Sequence, residues 1–144
     1  MIRRFAFATI LVSLLGFQAQ AHTTFTGFWR GTCQDSRGLT RQASLSIVQN
    51  GCHSIQINNR FFPFGQLVSS PTNLPGWSGH ADEIIHFVNG GTELQYFYSA
   101  VLAAPGQIPT KVNTSTTFKR MENMMTSESY TVESNLREFC QYTL

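Results

Sequence analysis

Charged side chains are scarce in this 144-residue chain, which has 10 Lys and Arg and 8 Asp and Glu. Two of the basic residues, Arg3 and Arg4, lie in a segment that we predict is removed, which leaves 8 basic and 8 acidic residues. A chain without net positive charge lacks the basic face that neutralises phosphates, so we expect no nucleic-acid partner. The same balance argues against a polybasic protein that binds anionic membrane surfaces.

Long hydrophobic runs are also lacking, apart from the 13 residues of segment 5–17. This run follows two arginines and precedes the small-residue motif Ala19-Gln20-Ala21. A positive start, a short apolar stretch and an A-x-A site are typical of a signal peptide that is cleaved on export. We therefore predict a signal peptide in residues 1–21 and a single domain in residues 22–144. We expect that domain to be periplasmic or secreted and not to stay in the membrane.

Helical periodicity is scarce as well, because apolar and polar residues alternate with a period of two, as in residues 25–33 and 39–48. Asn50-Gly51, which favours a type I′ hairpin, Asn58-Asn59 and Asn89-Gly90-Gly91 are turn signals between the alternating segments. Eight to ten short strands joined by local turns predict an all-β chain. We expect an antiparallel up-and-down β-barrel of about eight strands, with a β-sandwich as the alternative.

Several local predictions accompany this fold. Pro63 in the strand predicted over 61–68 indicates an edge or a bulge. The segments Ser69–Gly76 and Ala103–Thr110 are predicted to be loops. Residues 77–81 and 84–88 are predicted to be two short strands, and residues 121–125 are the only segment compatible with a short helix.

The motif Gly27-Phe28-Trp29 resembles the Gly-x-Trp motif of the calycins, the superfamily that contains the lipocalins and the avidin-like barrels. The resemblance implies that Trp29 closes one end of a barrel. It further implies that an arginine from the region of the last strand, here Arg137, packs on that tryptophan. The resemblance is limited to one strand and to the number of strands, so it implies a fold and no particular ligand.

Cysteine is scarce, and two arguments about the pairing of Cys33, Cys52 and Cys140 disagree. The first and last strands adjoin in a closed barrel, which favours Cys33 with Cys140. Chain direction places the start of the third strand and the end of the last at the same pole, which favours Cys52 with Cys140. In an oxidising compartment we expect one structural disulfide that includes Cys140, and one remaining thiol.

An exported, non-enzymatic barrel that binds a small apolar or amphipathic ligand is our first functional hypothesis. Its cavity would be lined by Trp29, Ile55, Ile57, Phe62, Phe64, Tyr96 and Tyr98, although the same side chains could fill a solid core. A useful pocket needs a volume of about 300 Å³ or more. Below that volume, the second hypothesis is favoured, a protein-interaction module such as a hydrolase inhibitor that uses the two predicted loops.

Catalytic residues and cofactors are not expected. A hydrolase built on Ser78, His80 and Asp82 would place three catalytic roles within five residues, and the surrounding sequence lacks a nucleophile elbow. A third hypothesis is a copper enzyme in which the α-amine and imidazole of an N-terminal His22 bind the metal. Its second histidine would be His53, His80 or His86.

Overall fold

Ten antiparallel strands form the fold in the computed structural model, which describes residues 22–144 and, for residues 73 and 74, only the backbone. The predicted signal peptide lies outside the described residues. The strands are β1 (Gly27–Asp35), β2 (Thr40–Asn50), β3 (Ser54–Ile57), β4 (Arg60–Pro63), β5 (Val68–Leu74), β6 (Trp77–Val88), β7 (Glu93–Ala103), β8 (Thr110–Met121), β9 (Met124–Thr131) and β10 (Leu136–Thr143). No helix within the described part of the chain has the length and apolar character needed to cross a bilayer.

One sheet contains all ten strands, in the order β4-β3-β2-β1-β10-β9-β8-β7-β6-β5. Adjacent strands of the sheet are also consecutive in sequence, except β1 and β10, whose pairing joins the first and last strands of the described residues. A Cβ atom at Gly31 would lie 1.9 Å from the carbonyl oxygen of Gln141, so this pairing requires glycine at that position. The all-β antiparallel up-and-down barrel is confirmed, with ten strands instead of about eight.

The barrel is nearly closed between β4, β5 and β6. The Gly65 N–H, in the turn after β4, donates to the Ile85 carbonyl oxygen of β6 at 2.8 Å. Strand β3 pairs with β2 only from Ile47 onward, so within residues 22–144 β2 has no partner strand on that side from Thr40 to Leu45. This gap in the wall, between the first half of β2 and the free edge of β5, is called the notch below.

The predicted loop over Ser69–Gly76 is wrong, because most of it belongs to β5. Pro71 is compatible with this strand because β5 lies at the edge of the sheet, where a missing N–H leaves no central hydrogen bond unmade. The two short strands predicted over 77–81 and 84–88 are a single strand, β6. Pro63 ends β4, so the strand predicted over 61–68 is interrupted there, as the proline indicated.

The turns follow the asparagine and glycine signals in part. Asn58 and Asn59 have φ of 48° and 67° and join β3 to β4 as a two-residue turn, as predicted. Asn50, by contrast, is the last residue of β2 and pairs with Ser54, so the two-residue type I′ turn predicted there is a three-residue turn. Residues 121–125 form no helix, because β8 and β9 meet there in a hairpin whose turn contains Glu122 at φ 54°.

Trp29 closes one end of the barrel, which is called the base below. Its side chain is fully buried, and its indole N–H donates to the Phe25 carbonyl oxygen at 2.9 Å. The segment before β1 crosses the base: the Phe25 N–H donates to Gln49 Oε1 at 2.8 Å, and the Thr23 N–H donates to the Gly91 carbonyl oxygen at 2.9 Å. The base is therefore sealed by the chain itself.

Arg120, and not Arg137, packs on Trp29. The guanidinium carbon of Arg120 lies 5.2 Å from the Trp29 ring centroid. Arg137 begins β10 near Ser36, whose Oγ accepts its backbone N–H, and its guanidinium lies over the Tyr130 ring. The prediction for Arg137 is wrong because β10 starts at the end of the barrel opposite the base, whereas β8 ends at the base.

Cys33 and Cys140 face each other in the register of β1 and β10 and form a disulfide with an S–S distance of 2.05 Å. Of the two pairings considered from the sequence, the structure therefore contains the one between the first and last strands. Cys52 lies in the turn after β2 as an exposed free thiol. A disulfide of this kind persists in an oxidising compartment.

We expect Trp29→Ala to lower the free energy of unfolding by about 3–5 kcal/mol, because it leaves a large cavity in a fully buried position. Urea denaturation followed by circular dichroism measures this loss. Phe28→Ala is the matched control, since its exposed side chain lies on the outer face of the same strand and should change stability by less than about 0.5 kcal/mol. Equal losses in the two variants would contradict a Trp29-filled base.

We expect the double variant Cys33→Ala, Cys140→Ala to unfold at lower urea concentration than the native protein. The disulfide spans 107 residues of sequence, and closure of so long a loop restricts the unfolded chain by about 4–5 kcal/mol in the entropy model. Cys52→Ala is the control and should retain native stability. A loss caused by Cys52→Ala, together with none in the double variant, would show that a different pair is bonded.

Candidate functional site

A cavity of about 280 Å³ lies inside the barrel. One part of its wall is apolar and is formed by Leu45, Ile57, Phe62, Ile85 and Phe118. The other part carries hydroxyl groups, from Tyr96, Thr116, Ser127, Ser129 and Tyr142. Two carboxylates, Glu83 and Glu138, and two arginines, Arg41 and Arg60, complete the lining together with Asn58 and Cys140. This space is called the lumen below.

The exposed members of the lining show where the lumen meets solvent. Arg41, Asn58 and Arg60 are exposed, and they lie on β2, on the turn after β3 and at the start of β4. These positions border the notch. The lumen therefore reaches solvent beside the notch, at the side away from the sealed base.

Glu83 is the most deeply buried acidic side chain of the lumen, at 1% exposure. Strand alternation turns it inward together with Ala81 and Ile85, which are buried on the same face of β6. Arg60 binds it with both terminal nitrogens, with 2.9 Å between Nη1 and Oε1, and Nη2 donating to Oε2. The Tyr96 hydroxyl donates to Oε1 as well. The carboxylate is thus held by one cation and one neutral donor.

The pKa of the Tyr96 hydroxyl is raised in this position. Burial, followed by its hydrogen bond to Glu83, raises the pKa of the Tyr96 hydroxyl far above its ordinary value of 10.0. Ionisation would place a phenolate beside a carboxylate in a partly desolvated site. The hydroxyl therefore remains a donor to Glu83 over the whole physiological range of pH.

Glu138 forms the second ion pair of the lumen. Arg41 donates from Nε to Oε2 at 2.8 Å and from Nη2 to Oε1 at 2.6 Å. This hydrogen bonding raises the pKa of Arg41. The Arg41 side chain is 58% exposed, whereas that of Glu138 is 24% exposed. In both pairs the carboxylate is less exposed than the arginine, although only Glu83 is fully buried.

The hydroxyl-bearing wall is hydrogen-bonded internally. Thr116 Oγ1 and Ser129 Oγ lie 2.8 Å apart across β8 and β9, and Ser127 is buried beside them on β9. Burial raises the pKa of Tyr142. Among the described residues, every buried side-chain nitrogen or oxygen has a hydrogen-bond partner. The wall is organised without a ligand and needs none to satisfy its polar atoms.

Three of the seven residues predicted to line a cavity do so, namely Ile57, Phe62 and Tyr96. Trp29 and Ile55 are buried in the core, and Phe64 packs against that core with its ring 4.6 Å from that of Phe87. Tyr98 lines a separate groove that also includes Leu67. The structure therefore brings together fewer than half of the predicted set.

Sequence reasoning missed the two ion pairs of the lumen. A signal for Glu83 was readable, because a charged residue occupies the inward face of an otherwise apolar alternation in β6. No comparable signal existed for Arg60, whose partner lies 23 residues away on a strand that is not its neighbour in the sheet.

The histidines considered for copper lie in varied surroundings. The ring of His22 lies 4.5 Å from that of Phe87, and His86 stacks against Phe97. Among the described residues, the only cluster of three potential metal-ligating side chains is Cys33, Glu138 and Cys140, whose two sulfurs form the disulfide. The copper hypothesis stays a prediction.

The polar residues near His80 form an exposed surface network. Asp82 Oδ1 accepts from Ser69 Oγ at 2.5 Å and lies 2.8 Å from His80 Nε2. The Ser69 hydrogen bond is the main cause that lowers the pKa of Asp82. The aspartate thus lies between the serine and the histidine, an order different from the Ser-His-Asp relay of hydrolases.

Comparisons of this chain with protein-family models, with curated proteins and with solved structures find no match. The nearly closed antiparallel barrel is compatible with a calycin-like fold.

We expect the ionisation of Tyr96 to be absent from the tyrosine titration near pH 10. Tyr96→Phe should therefore change the 295-nm absorbance of the folded protein little up to about pH 11, because the replaced hydroxyl is still protonated there. Because folding raises the pKa of Tyr96, the protonated hydroxyl makes its full contribution to the free energy of unfolding below pH 10. That contribution is lost as pH rises above 10. The burial of this hydroxyl would be contradicted if one tyrosine fewer ionised in the variant than in the native protein between pH 9 and 11.

Proposed function

We propose that this protein is an exported, non-enzymatic barrel that binds a small amphipathic ligand in its lumen. The observation that carries the proposal is the two-sided lining, with apolar side chains on one part and hydroxyl and charged groups on the other. Ligand pockets combine a mainly apolar surface with a few fixed polar groups in this way. The polar groups orient the ligand, and the apolar surface provides most of its burial.

The size of the lumen limits the ligand. A volume of about 280 Å³ is just below the lower end of typical ligand pockets, about 300 Å³. The volume criterion alone therefore favours the protein-interaction module, and the two-sided lining is the observation that favours a ligand. The volume of the lumen is nearly twice the roughly 150 Å³ of an engineered cavity that holds benzene. A ligand of one or two rings, or a short acyl chain, is therefore the class that fits.

Several features support export. The proposed signal peptide, with its A-x-A site, and the Cys33–Cys140 disulfide agree with a periplasmic or secreted protein. The buried Trp29 at the base is compatible with a calycin-like relationship, whereas the position of Arg137 at the opposite end of the barrel counts against it. The calycin relationship remains part of this proposal.

Protein binding through the loop between β7 and β8 is the second candidate function. The predicted loop over Ala103–Thr110 is retained as residues 104–109 between β7 and β8. Ile108 in this loop is 89% exposed, the largest value among the exposed large hydrophobic residues of the described chain. An apolar side chain presented on a loop is available to a protein partner.

We expect the uncharged two-ring fluorophore 1-naphthylamine to bind the lumen with a saturable blue shift of its emission. Leu45→Trp should weaken this binding by about tenfold or more, because the indole would occupy the lumen. Val48→Trp is the matched control, since Val48 lies on the same strand with an exposed side chain, and its affinity should stay within about twofold.

Native mass spectrometry of protein purified from its own host complements this measurement by detecting a retained small molecule. Lack of saturable binding to the native protein, with no retained small molecule, would contradict the proposal. Equal weakening by Leu45→Trp and Val48→Trp would also contradict it, because the probe would then bind elsewhere. A retained polypeptide that Ile108→Ser releases would favour the second candidate.

A further inference from the structure

The two ion pairs of the lumen share an asymmetry that bears on ligand charge. Glu83 is 1% exposed and its partner Arg60 is 50% exposed, and Glu138 and Arg41 differ in the same direction. An exposed arginine can turn into solvent with little loss, because water replaces its hydrogen bonds. The carboxylates cannot do so, because Glu83 is buried, Glu138 is largely buried, and both side chains point into the barrel. The arginines are therefore the exchangeable partners, and the carboxylates are the fixed ones.

The Arg60 guanidinium marks the position of a cation beside Glu83. It donates to both carboxylate oxygens, and its central carbon lies 5.4 Å from the centroid of the Phe62 ring. The Phe62 and Tyr96 rings meet edge to face, with 6.1 Å between their centroids. A carboxylate beside aromatic rings is the combination that stabilises an organic cation. The chain's own arginine occupies that combination in this structure.

From this arrangement we infer that the ligand of the lumen is a small organic cation, an amine with an apolar ring or chain, whose ammonium group replaces the Arg60 guanidinium on Glu83. This inference rests on the proposed function and specifies the ligand of the same site. The ammonium group keeps Glu83 paired when Arg60 turns outward. The apolar body of the ligand then contacts the Leu45 and Ile85 part of the wall.

Other ligand charges are less compatible with the site. An anionic ligand that draws Arg60 away from its carboxylate would leave Glu83 buried without a cation, which is strongly unfavourable. A neutral ligand would leave both ion pairs intact but would form no ion pair of its own, and its hydroxyl would have to share Glu83 with Arg60 and Tyr96. The expected order of affinity is therefore amine, then alcohol, then carboxylate.

Three molecules of nearly equal size test this order, namely 2-phenylethylamine, 2-phenylethanol and phenylacetate. Each is titrated against the native protein at pH 7 by calorimetry and by displacement of 1-naphthylamine. We expect the affinity for the amine to exceed that for the alcohol by about tenfold or more, and the carboxylate to bind most weakly. Equal affinities for amine and alcohol, or tightest binding of the carboxylate, would overturn the inference while leaving lumen binding intact. Failure of all three and of the fluorophore would refute the proposed function itself.

Variants of the ion pair separate a binding role from a structural one. Glu83→Gln should reduce the amine affinity to that of the alcohol. Glu128 is an exposed glutamate of β9, and Glu128→Gln should change neither the amine affinity nor the alcohol affinity. Arg60→Gln removes the competing guanidinium, so it should raise amine affinity severalfold and leave alcohol affinity within about twofold. This second variant is informative even if Glu83→Gln fails to fold. A fall in amine affinity on Arg60→Gln, with circular dichroism unchanged, would contradict the exchange.

Discussion

Pairing of the first strand with the last is the constraint on which the rest of this structure depends. Strands β1 and β10 come from opposite ends of the described chain, and their ladder turns a meander into a barrel. Gly31 permits the close approach of the two backbones, and Cys33–Cys140 links them covalently two residues away. Without this pairing the inward faces of ten strands would have no common interior, and neither a core nor a lumen would exist.

Closure divides the interior into two regions with different chemistry. At the base, the large side chains of Trp29 and Phe25 are fully buried, and the chain segment before β1 covers them. Further along the axis the inward residues become smaller and more polar, as on β9, where Met125 is followed by Ser127 and Ser129. Small hydroxyl side chains at inward positions leave the space that large apolar ones occupy at the base. The lumen is thus a consequence of side-chain size along the strands.

Two carboxylates determine the chemistry of the lumen. Glu83 and Glu138 reside on the wall, and each is neutralised by an arginine that remains largely in solvent. Replacing such pairs with apolar residues of similar volume is often neutral or stabilising for a fold. Stability alone therefore does not account for two carboxylates inside so small a barrel. A role in recognition accounts for their position and for the exposure of their partners.

Alternation of period two determined the all-β class and most of the strands, because the side-chain pattern of a half-buried strand is a local property. It did not reveal β5, which was predicted to be a loop, or the continuity of β6. Local signals also located the Asn58-Asn59 turn. Tertiary structure alone decided which distant positions meet: Arg120 with Trp29, Cys33 with Cys140, and Arg60 with Glu83. These contacts depend on strand direction, on the stagger of the barrel and on which strands adjoin across its gap. Such quantities are set only when the sheet closes, so no single segment of sequence encodes them.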